Sequence, residues 1–532
     1  MPRPNQVDDA VLHRSLEQAL GPDRIRTDEE TRHAFATDAS PCVVEPRAVV
    51  SVASEADVIA VVRIARTLEI PITPRGSGTS LSGAAIGPGI VLDTTRFRQI
   101  LEFNEADRWV RVEPGVALSE LNAYLGERGF RFAPDPGSQD VCRIGGMVGH
   151  NASGYRSVKY GQTRDHVIAL RVVLANGAPV QARDLPIHDS AWADLVRRVP
   201  AFDAVRREIE THRDRIRASR RPVRKHSCGY PLLSILESLD RGIFPLASLF
   251  VGSEGTLGIV TEATLGVLPV PSRHVTALVY LDRFADLGPL VEEILRLGPS
   301  AMEAVDGDTL RLLDRASLDV PAGAEAMLLV EFDEGDLDGT VRALAERIAP
   351  RYALSRAVEI SSNPDRQAVL WKVRRSVFPA IIGRPGLRKA WGFVEDPIVP
   401  RDRVPEFIAF LVQLARRHGT SAGIYGHIGD GNTHYRPFFD PTDPEDFNRM
   451  QSLRAEFDEA LLDRFRGAPS GEHGIGRIRA DILPRVWGTE VYGAMQRIKE
   501  ALDPDGLMNP GVLFSSEPWW SAWGGLESRT PM

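Results

Sequence analysis

Apolar positions along this chain change their spacing several times, and each change marks a different kind of structure. Residues 8–35 have helical spacing and are mostly polar. From about residue 45, short apolar runs alternate with helical stretches. Ser54 followed by Asp57 reads as a capping box, opening a helix whose apolar positions fall over 58–70. Residues 70–73 read as a strand that leads into a glycine-rich loop, and Ile90-Val91-Leu92-Asp93 as a short buried strand. Runs at 100–103 and 109–112 predict a hairpin turning at 104–107. Residues 118–128 predict a helix closed by Gly129. Asn176-Gly177, between apolar runs at 167–174 and from 180, predicts a second hairpin. The arginine-rich stretch 186–225 reads as helices lying on the surface, and 249–264 returns to strand-like, glycine-rich sequence.

The texture shifts again at Pro269-Val270-Pro271. Strands at 275–281, 301–305 and 327–332 then alternate with helices at 287–297, 310–313 and 337–348, which predicts an α+β domain with an antiparallel sheet. Amphipathic helices are expected at 404–418 and 445–465. The motif Met508-Asn509-Pro510-Gly511 is expected to end the ordered part, before a tail that carries Trp519, Trp520 and Trp523. This divides the chain into a helical segment 1–44, a unit 45–270, a unit 271–470, a closing segment 471–515 and a Trp-rich tail 516–532.

Composition narrows the class. At 532 residues the chain exceeds the roughly 250–300 at which single cores stop growing, so more than one domain is expected. A net charge of −8 argues against bulk attraction to nucleic acid or anionic lipid. The three cysteines, Cys42, Cys142 and Cys228, form no CxxC pair, which speaks against an iron–sulfur cluster, a zinc ribbon or structural disulfides. A reducing, cytoplasmic setting is expected, with peripheral contact at the inner face of a membrane left open. The first 20 residues lack the long apolar core of a signal peptide, and no apolar run approaches the roughly 20 residues needed to span a bilayer.

Two stretches carry chemistry. In Pro74-Arg75-Gly76-Ser77-Gly78-Thr79-Ser80-Leu81, followed by Gly83, the glycines allow successive backbone N–H groups to point into one concavity and bind an anion such as a pyrophosphate. The spacing fits neither the Walker A pattern nor the Rossmann fingerprint, so on its own it also suits a plain surface loop. In Gly426-His427-Ile428-Gly429-Asp430-Gly431-Asn432-Thr433-His434 the histidines stand seven apart, and Gly471-Glu472-His473-Gly474 follows. Two imidazoles and a carboxylate suit a divalent metal, most simply Zn²⁺, with Mn²⁺ and Fe²⁺ as alternatives. Spacing alone leaves a chance arrangement open.

Further segments sharpen both readings. Pro136-Gly137-Ser138, then Gly145-Gly146-Met147-Val148-Gly149-His150-Asn151-Ala152-Ser153-Gly154, and later Glu254 with Gly258-Ile259-Val260, together with the first loop, resemble the FAD-binding domain of the vanillyl-alcohol oxidase / p-cresol methylhydroxylase flavoproteins. The resemblance covers roughly 45–270. It implies a two-part FAD-binding domain plus an antiparallel-sheet substrate (cap) domain. Residues 75–81 would wrap the FAD pyrophosphate, 136–138 and 145–154 would line the flavin and ribityl side, and Ile259 and Val260 would sit near the adenine or the flavin edge. Relatives that attach FAD covalently use a histidine in the first loop; this loop has none, so non-covalent FAD is expected. Asn509, in the closing motif, joins the expected cofactor-binding set.

The second half is similar to the C-terminal half of D-2-hydroxy-acid dehydrogenases acting on D-lactate, glycolate or D-2-hydroxyglutarate, over about 271–515. The resemblance makes His427, His434 and Glu472 metal ligands and His473 the general base, with Asn432 supporting the site and Arg374 gripping the substrate carboxylate. A guanidinium suits that task because it binds both oxygens at once. Dicarboxylate-oxidising relatives carry a lysine in the segment matching Val394-Glu395-Asp396-Pro397; this chain has none there, Lys389 being the nearest, which favours a monocarboxylate such as D-lactate. Larger relatives continue into an iron–sulfur domain, so electrons are expected to leave through a separate partner, a quinone, a cytochrome or O₂. The Trp tail is open to docking that partner or a membrane, to packing on its own domain, or to contacting a second subunit in a homodimer. An O₂-using oxidase, an alkylglycerone-phosphate-synthase-like transferase and a flavin-free binding protein are the competing readings.

Overall fold

This computed structural model describes residues 8–524. Its first sheet has the strand order Ile25–Arg26, Ala48–Ser51, Ile90–Asp93, Ile72–Arg75. The last three run parallel, and the helix Glu55–Thr67 crosses over between them. Ser54 caps that helix by accepting the Asp57 N–H at 3.2 Å. Val58, Val61, Val62 and Ala65 bury its inner face at helical spacing. The second sheet is antiparallel, in the order Ile243–Pro245, Pro179–Pro186, Val167–Val173, Ile259–Gly266, Trp109–Val112, Ile100–Asn104. Both predicted hairpins lie in it. Gly177 turns one of them at φ +79°, a left-handed angle that glycine adopts freely.

The third sheet is also antiparallel, in the order Glu359–Ser361, Val275–Leu281, Ala326–Phe332, Ala301–Asp306, Ala422–Gly426, His434–Phe439, Lys389–Ala390. Strands Val275–Leu281 and Ala326–Phe332 are buried along their whole length. Ala277, Val279, Leu328 and Val330 face one core, and Leu278, Tyr280, Met327 and Leu329 the other. Alternate residues point to opposite faces, so a strand covered on both sides reads as a continuous apolar run. Helices Leu287–Leu295, Val404–Arg417 and Pro444–Glu459 cover the first face. Helices Pro364–Arg375 and Val377–Ile382, with Tyr155 from the other half of the molecule, cover the second. The architecture is α+β, with a first half in two parts and a second built on one broad sheet.

Two expectations are corrected. The helices of 186–225 are core elements rather than a surface excursion. Phe202, Val205, Ile209 and Ile216 are fully buried, and Ala201–Thr211 packs along Thr489–Leu502 from the closing segment. The arginines that suggested a surface occupy the outer faces of these helices, where Arg206 pairs with Asp203 and Glu210. Order also continues past Gly511. Trp519 and Trp523 are 5% and 1% exposed. Trp519 stacks on Phe393, with ring centroids 5.2 Å apart, and Trp523 on Trp391 at the same separation. The Val43 N–H donates to the Ala522 carbonyl at 2.7 Å, tying the tail to the N-terminal segment. Through residue 524 the tail is packed on its own chain, and 525–532 lie outside the described residues.

Candidate active site

The glycine-rich loop leaves the end of strand Ile72–Arg75. Gly78 turns it at φ +68°, and a Cβ there would lie 2.3 Å from the Arg75 guanidinium. Arg75 braces the loop from beneath, donating to the carbonyls of Thr37 at 2.8 Å and Ala85 at 3.1 Å. Ser77 donates to the Val141 carbonyl at 2.6 Å and accepts from Arg143 at 3.1 Å. Across the cavity, helix Ile144–His150 brings Gly145 so close to Pro114 that a Cβ would sit 2.7 Å from it, whereas Gly146 and Gly149 have open space at that position. The backbone thus leaves room where a large planar ligand would lie.

The cavity measures about 560 Å³, within the range of cofactor sites. Residues 74–81, 136–138, Gly145, Gly146, Gly149, Ser153, Glu254, Gly258, Ile259 and Val260 line its walls. Arg374, His427, His434, Glu472 and His473 line its far end. Four expected residues stand behind the wall instead. Asn151 closes the helix Ile144–His150 in a left-handed conformation and accepts the Arg164 N–H at 2.9 Å. Gly154, at φ +145°, packs on the Asp135 carbonyl. Asn509 bridges the Ala84 and Glu254 carbonyls, at 2.9 and 2.7 Å. Asn432 donates to Asp396 at 3.0 Å and to the Pro397 carbonyl at 3.1 Å. These residues shape the wall through backbone and carboxylate contacts, which their motif positions did not reveal.

At the far end, three imidazoles surround one carboxylate oxygen. Glu472 Oε1 lies 2.8 Å from His427 Nε2 and 3.6 Å from the Nε2 of both His434 and His473. The opposite ring nitrogens of two of them meet carboxylates: His427 Nδ1 is 2.6 Å from Glu303, and His473 Nδ1 is 2.8 Å from Glu395. The buried Nδ1 of His434 has no hydrogen-bond partner. His473 is the most open of the three, its side chain 22% exposed against 5% for the others.

The other oxygen of Glu472 is held from behind. Ser153 donates to Oε2 at 2.5 Å, and Lys225 lies 3.2 Å away, itself bonded to Ser153 and Ser157. Ser153, expected on the flavin side, therefore also serves the carboxylate. Asp396 accepts the backbone N–H groups of Glu472 and His473, at 2.9 and 2.8 Å, and the Ser470 hydroxyl at 2.7 Å. Arg436 and Arg479 each lie 3.2 Å from Glu395. Arg374 donates through Nε and Nη2 to Glu303, at 2.8 Å each, between the rings of Tyr155 and Tyr425.

The electrostatics follow from this crowding. Burial opposes charge on His427, yet Glu303 and Glu472 raise it to about 10. Burial likewise opposes charge on His473, and Glu395 and Asp396 raise it to about 9. His434, buried and beside two other imidazoles, is held well below the ordinary value. Glu472 falls well below the usual carboxylate range because His427 and Lys225 outweigh the effect of its burial. Asp396, His434, Glu472 and His473 offer ligand atoms within 4.8 Å of one another, among the described residues. Both Asp396 oxygens already accept hydrogen bonds, from Asn432 and from Ser470 and the Glu472 and His473 N–H groups, and His427, outside this group of four, lies against the same Glu472 oxygen at 2.8 Å. His150 is a neutral strut: burial lowers it to about 4, and its ring bridges Ser80 and the Gly146 carbonyl. Glu254 accepts the Ile475 and Gly476 N–H groups, both at 2.8 Å, joining the cradle wall to the Glu472 segment.

Sequence reading missed Lys225, Glu303, Arg436 and Arg479. Lys225 and Glu303 are single charged residues far in sequence from the motifs, whereas Arg436 and Arg479 stand beside them, two residues after His434 and six after His473. Glu303, set between Met302 and Ala304 in an apolar strand, carries the one usable signal: a charge in a strand buried on both faces must have a partner.

Comparison with known proteins agrees with this geometry. Residues 46–183 match an FAD binding domain, and residues 270–513 match the C-terminal domain of FAD linked oxidases. The glycolate oxidase subunit GlcD of Bacillus subtilis is 30% identical, over 94% of this chain and 96% of its own length. The D-lactate dehydrogenase of Anaerostipes hadrus is 28% identical, over 96% and 98%. The D-2-hydroxyglutarate dehydrogenase of Pantoea ananatis is 32% identical over 91% of this chain, and the chain spans about half the length of that relative. Among solved structures, p-cresol methylhydroxylase with substrate bound aligns with a TM-score of 0.69 at 16% identity, covering 96% of this chain and 98% of that one. An alkyldihydroxyacetonephosphate synthase aligns at 0.65 and 17%, covering 96% and 86%; at these identities the likeness is one of fold. The chain belongs to the FAD-linked oxidases, a family whose members here are named for D-2-hydroxyglutarate, glycolate and D-lactate, on a fold of the vanillyl-alcohol oxidase type.

Proposed function

We propose that this protein oxidises a small D-2-hydroxy acid to the 2-oxo acid, with FAD in the glycine-lined part of the cavity and a divalent cation held by His427, His434 and Glu472. The observation that carries this reading is that the cradle and the histidine–carboxylate cluster line one cavity. When bound, FAD supplies the acceptor for the hydride on Cα, and the cation supplies Lewis acidity toward the α-hydroxyl. The chain's own residues do the rest. Arg374 engages Glu303 through Nε and Nη2, leaving Nη1 for the substrate carboxylate. His473, the most open of the three imidazoles and oriented by Glu395 at Nδ1, takes the α-hydroxyl proton at Nε2 in its neutral form, which a cation held at Glu472, 3.6 Å from that nitrogen, would favour by opposing charge on the ring. Tyr155 and Tyr425, flanking Arg374, keep water from the carboxylate site.

The absence of a lysine in 394–397 favours a monocarboxylate such as D-lactate or glycolate, and Lys389 is exposed and bonds to the Arg384 carbonyl away from the cavity. A second reading, a dicarboxylic D-2-hydroxy acid, is favoured by Arg375, which lines the same cavity beside Arg374. An anaerobic visible spectrum with a panel of D- and L-2-hydroxy acids decides between them. Flavin bleaching by D-lactate or glycolate supports the first reading, and bleaching by D-2-hydroxyglutarate alone the second. A flavin that no D-acid bleaches overturns both.

A further inference from the structure

On the outside of the second half, a short loop combines features that the active-site cavity does not use. Residues 382–389 read Ile-Gly-Arg-Pro-Gly-Leu-Arg-Lys. Leu387 is 81% exposed and Ile382 49%. Beside them is a separate cleft of about 390 Å³, lined by Arg384, Arg388, Arg416, Gly419, Thr420, Ser421 and Phe438.

The charges around this cleft do not cancel. Asp446 takes Arg388 and Arg449, Glu445 takes Arg449, and Glu456 takes the neighbouring Arg417. Arg384 and Arg416 have no carboxylate partner among the described residues. Lys389 bonds only to a backbone carbonyl, among the same residues. Arg384 is fixed over the Phe438 ring, 4.1 Å from its centroid, so its guanidinium is already in place. Three uncompensated cations thus share a surface with two exposed apolar side chains, on a chain whose net charge is −8. Bulk repulsion from anions gives way here to a local attraction, because screening confines each surface charge to roughly 8–10 Å.

We propose that this surface docks the protein on an anionic phospholipid bilayer, with a headgroup phosphate in the arginine cleft and Leu387 and Ile382 at the acyl boundary. Guanidinium groups match phosphate oxygens in pairs, and Arg384 and Arg416 both line the cleft. A protein partner would need roughly 800 Å² of complementary surface, whereas two apolar tips ringed by cations suffice for peripheral membrane binding. The loop follows helix Val377–Ile382, whose Phe378 and Pro379 line the active-site cavity. From Pro379 to Ile382 the helix rises about 5 Å, so docking would bring the cavity wall close to the lipid surface. The inference is independent of which acid is oxidised.

Flotation of the flavin-loaded protein with vesicles tests it, comparing phosphatidylcholine alone with phosphatidylcholine mixed with phosphatidylglycerol. The protein is expected to float with the phosphatidylglycerol vesicles at low salt, to leave them at high salt, and to ignore pure phosphatidylcholine. Arg384→Gln with Arg416→Gln is expected to weaken binding roughly thirtyfold, at about one factor of five per cation. Leu387→Asp is expected to abolish it, with turnover in free solution unchanged in both variants. Protein that stays off the anionic vesicles, that binds both kinds equally, or whose variants bind as tightly as the parent overturns the proposal. A dimer that Leu387→Asp disperses, without vesicle binding, would assign the surface to a second copy of the chain instead.

Discussion

The cradle and the cluster share one cavity but hold what they bind by different means. The cradle is made of backbone, glycine and hydroxyl groups, and its arginines brace the chain itself, Arg75 donating to carbonyls and Arg143 to the Ser77 hydroxyl. The cluster packs His427, His434, His473, Glu303, Glu395, Asp396, Glu472 and Lys225 into a space where nearly every charge is buried. A cradle of this kind binds through shape and fixed N–H dipoles, which tolerate changes in any one side chain. A cluster of buried charges has no such tolerance, because removing one partner leaves another uncompensated. Binding and chemistry should therefore fail separately.

The sharpest test of that separation is His473→Ala. Loss of a positioned base should lower turnover by roughly 10²–10⁴-fold, while the flavin absorbance per protein stays at the parent level. Joint loss of flavin and activity would mean that the two regions are one cooperative unit. Next in size is Lys225→Met. It leaves Glu472 Oε2 with Ser153 alone, so Zn²⁺ affinity measured by calorimetry should fall roughly 10–100-fold. Combining it with Glu472→Gln should cost less than the sum of the two, since they act through one carboxylate. Unchanged metal affinity in Lys225→Met would reduce the lysine to a packing role. A smaller effect, on the other side of the comparison, comes from Gly78→Ala. The left-handed φ and the Arg75 guanidinium 2.3 Å from the new Cβ should weaken flavin binding about tenfold, with Zn²⁺ affinity intact.

The same contrast explains what the sequence made legible. Gly78 and Gly145 are visible because close approach permits only glycine, and such positions sit together in short motifs. The strands of the second half were legible because two-sided burial writes a continuous apolar run. His427, His434 and Glu472 could be found because two of them share a glycine-rich turn. Lys225 could not: it follows helices whose arginines suggested a surface, and only the packing of Phe202, Val205 and Ile209 against Thr489–Leu502 carries it inward. The tail was ambiguous for a related reason. Trp519 and Trp523 are large apolar rings whose cover, Phe393 and Trp391, lies more than a hundred residues away.

The mildest prediction asks whether burial of acids extends through the second half beyond the cluster. Asp306 ends the strand that carries Glu303, is 5% exposed, and accepts the Thr309 N–H at 3.1 Å. Burial raises its carboxyl from 3.8 to about 7, against the hydrogen bonds from Thr309. The folded protein therefore holds this proton more tightly than the unfolded chain does. The stability that the proton contributes is complete below about pH 4, declines as pH rises toward 7, and is gone above it. The side-chain amide introduced by Asp306→Asn would have nothing to titrate and would still accept from Thr309. The melting temperature of Asp306→Asn, relative to the parent, should rise by a few degrees between pH 5 and pH 8. A difference that stays flat across that range would show that Thr309 satisfies Asp306 as a carboxylate, and that the crowding of buried acids is confined to the residues around Glu472.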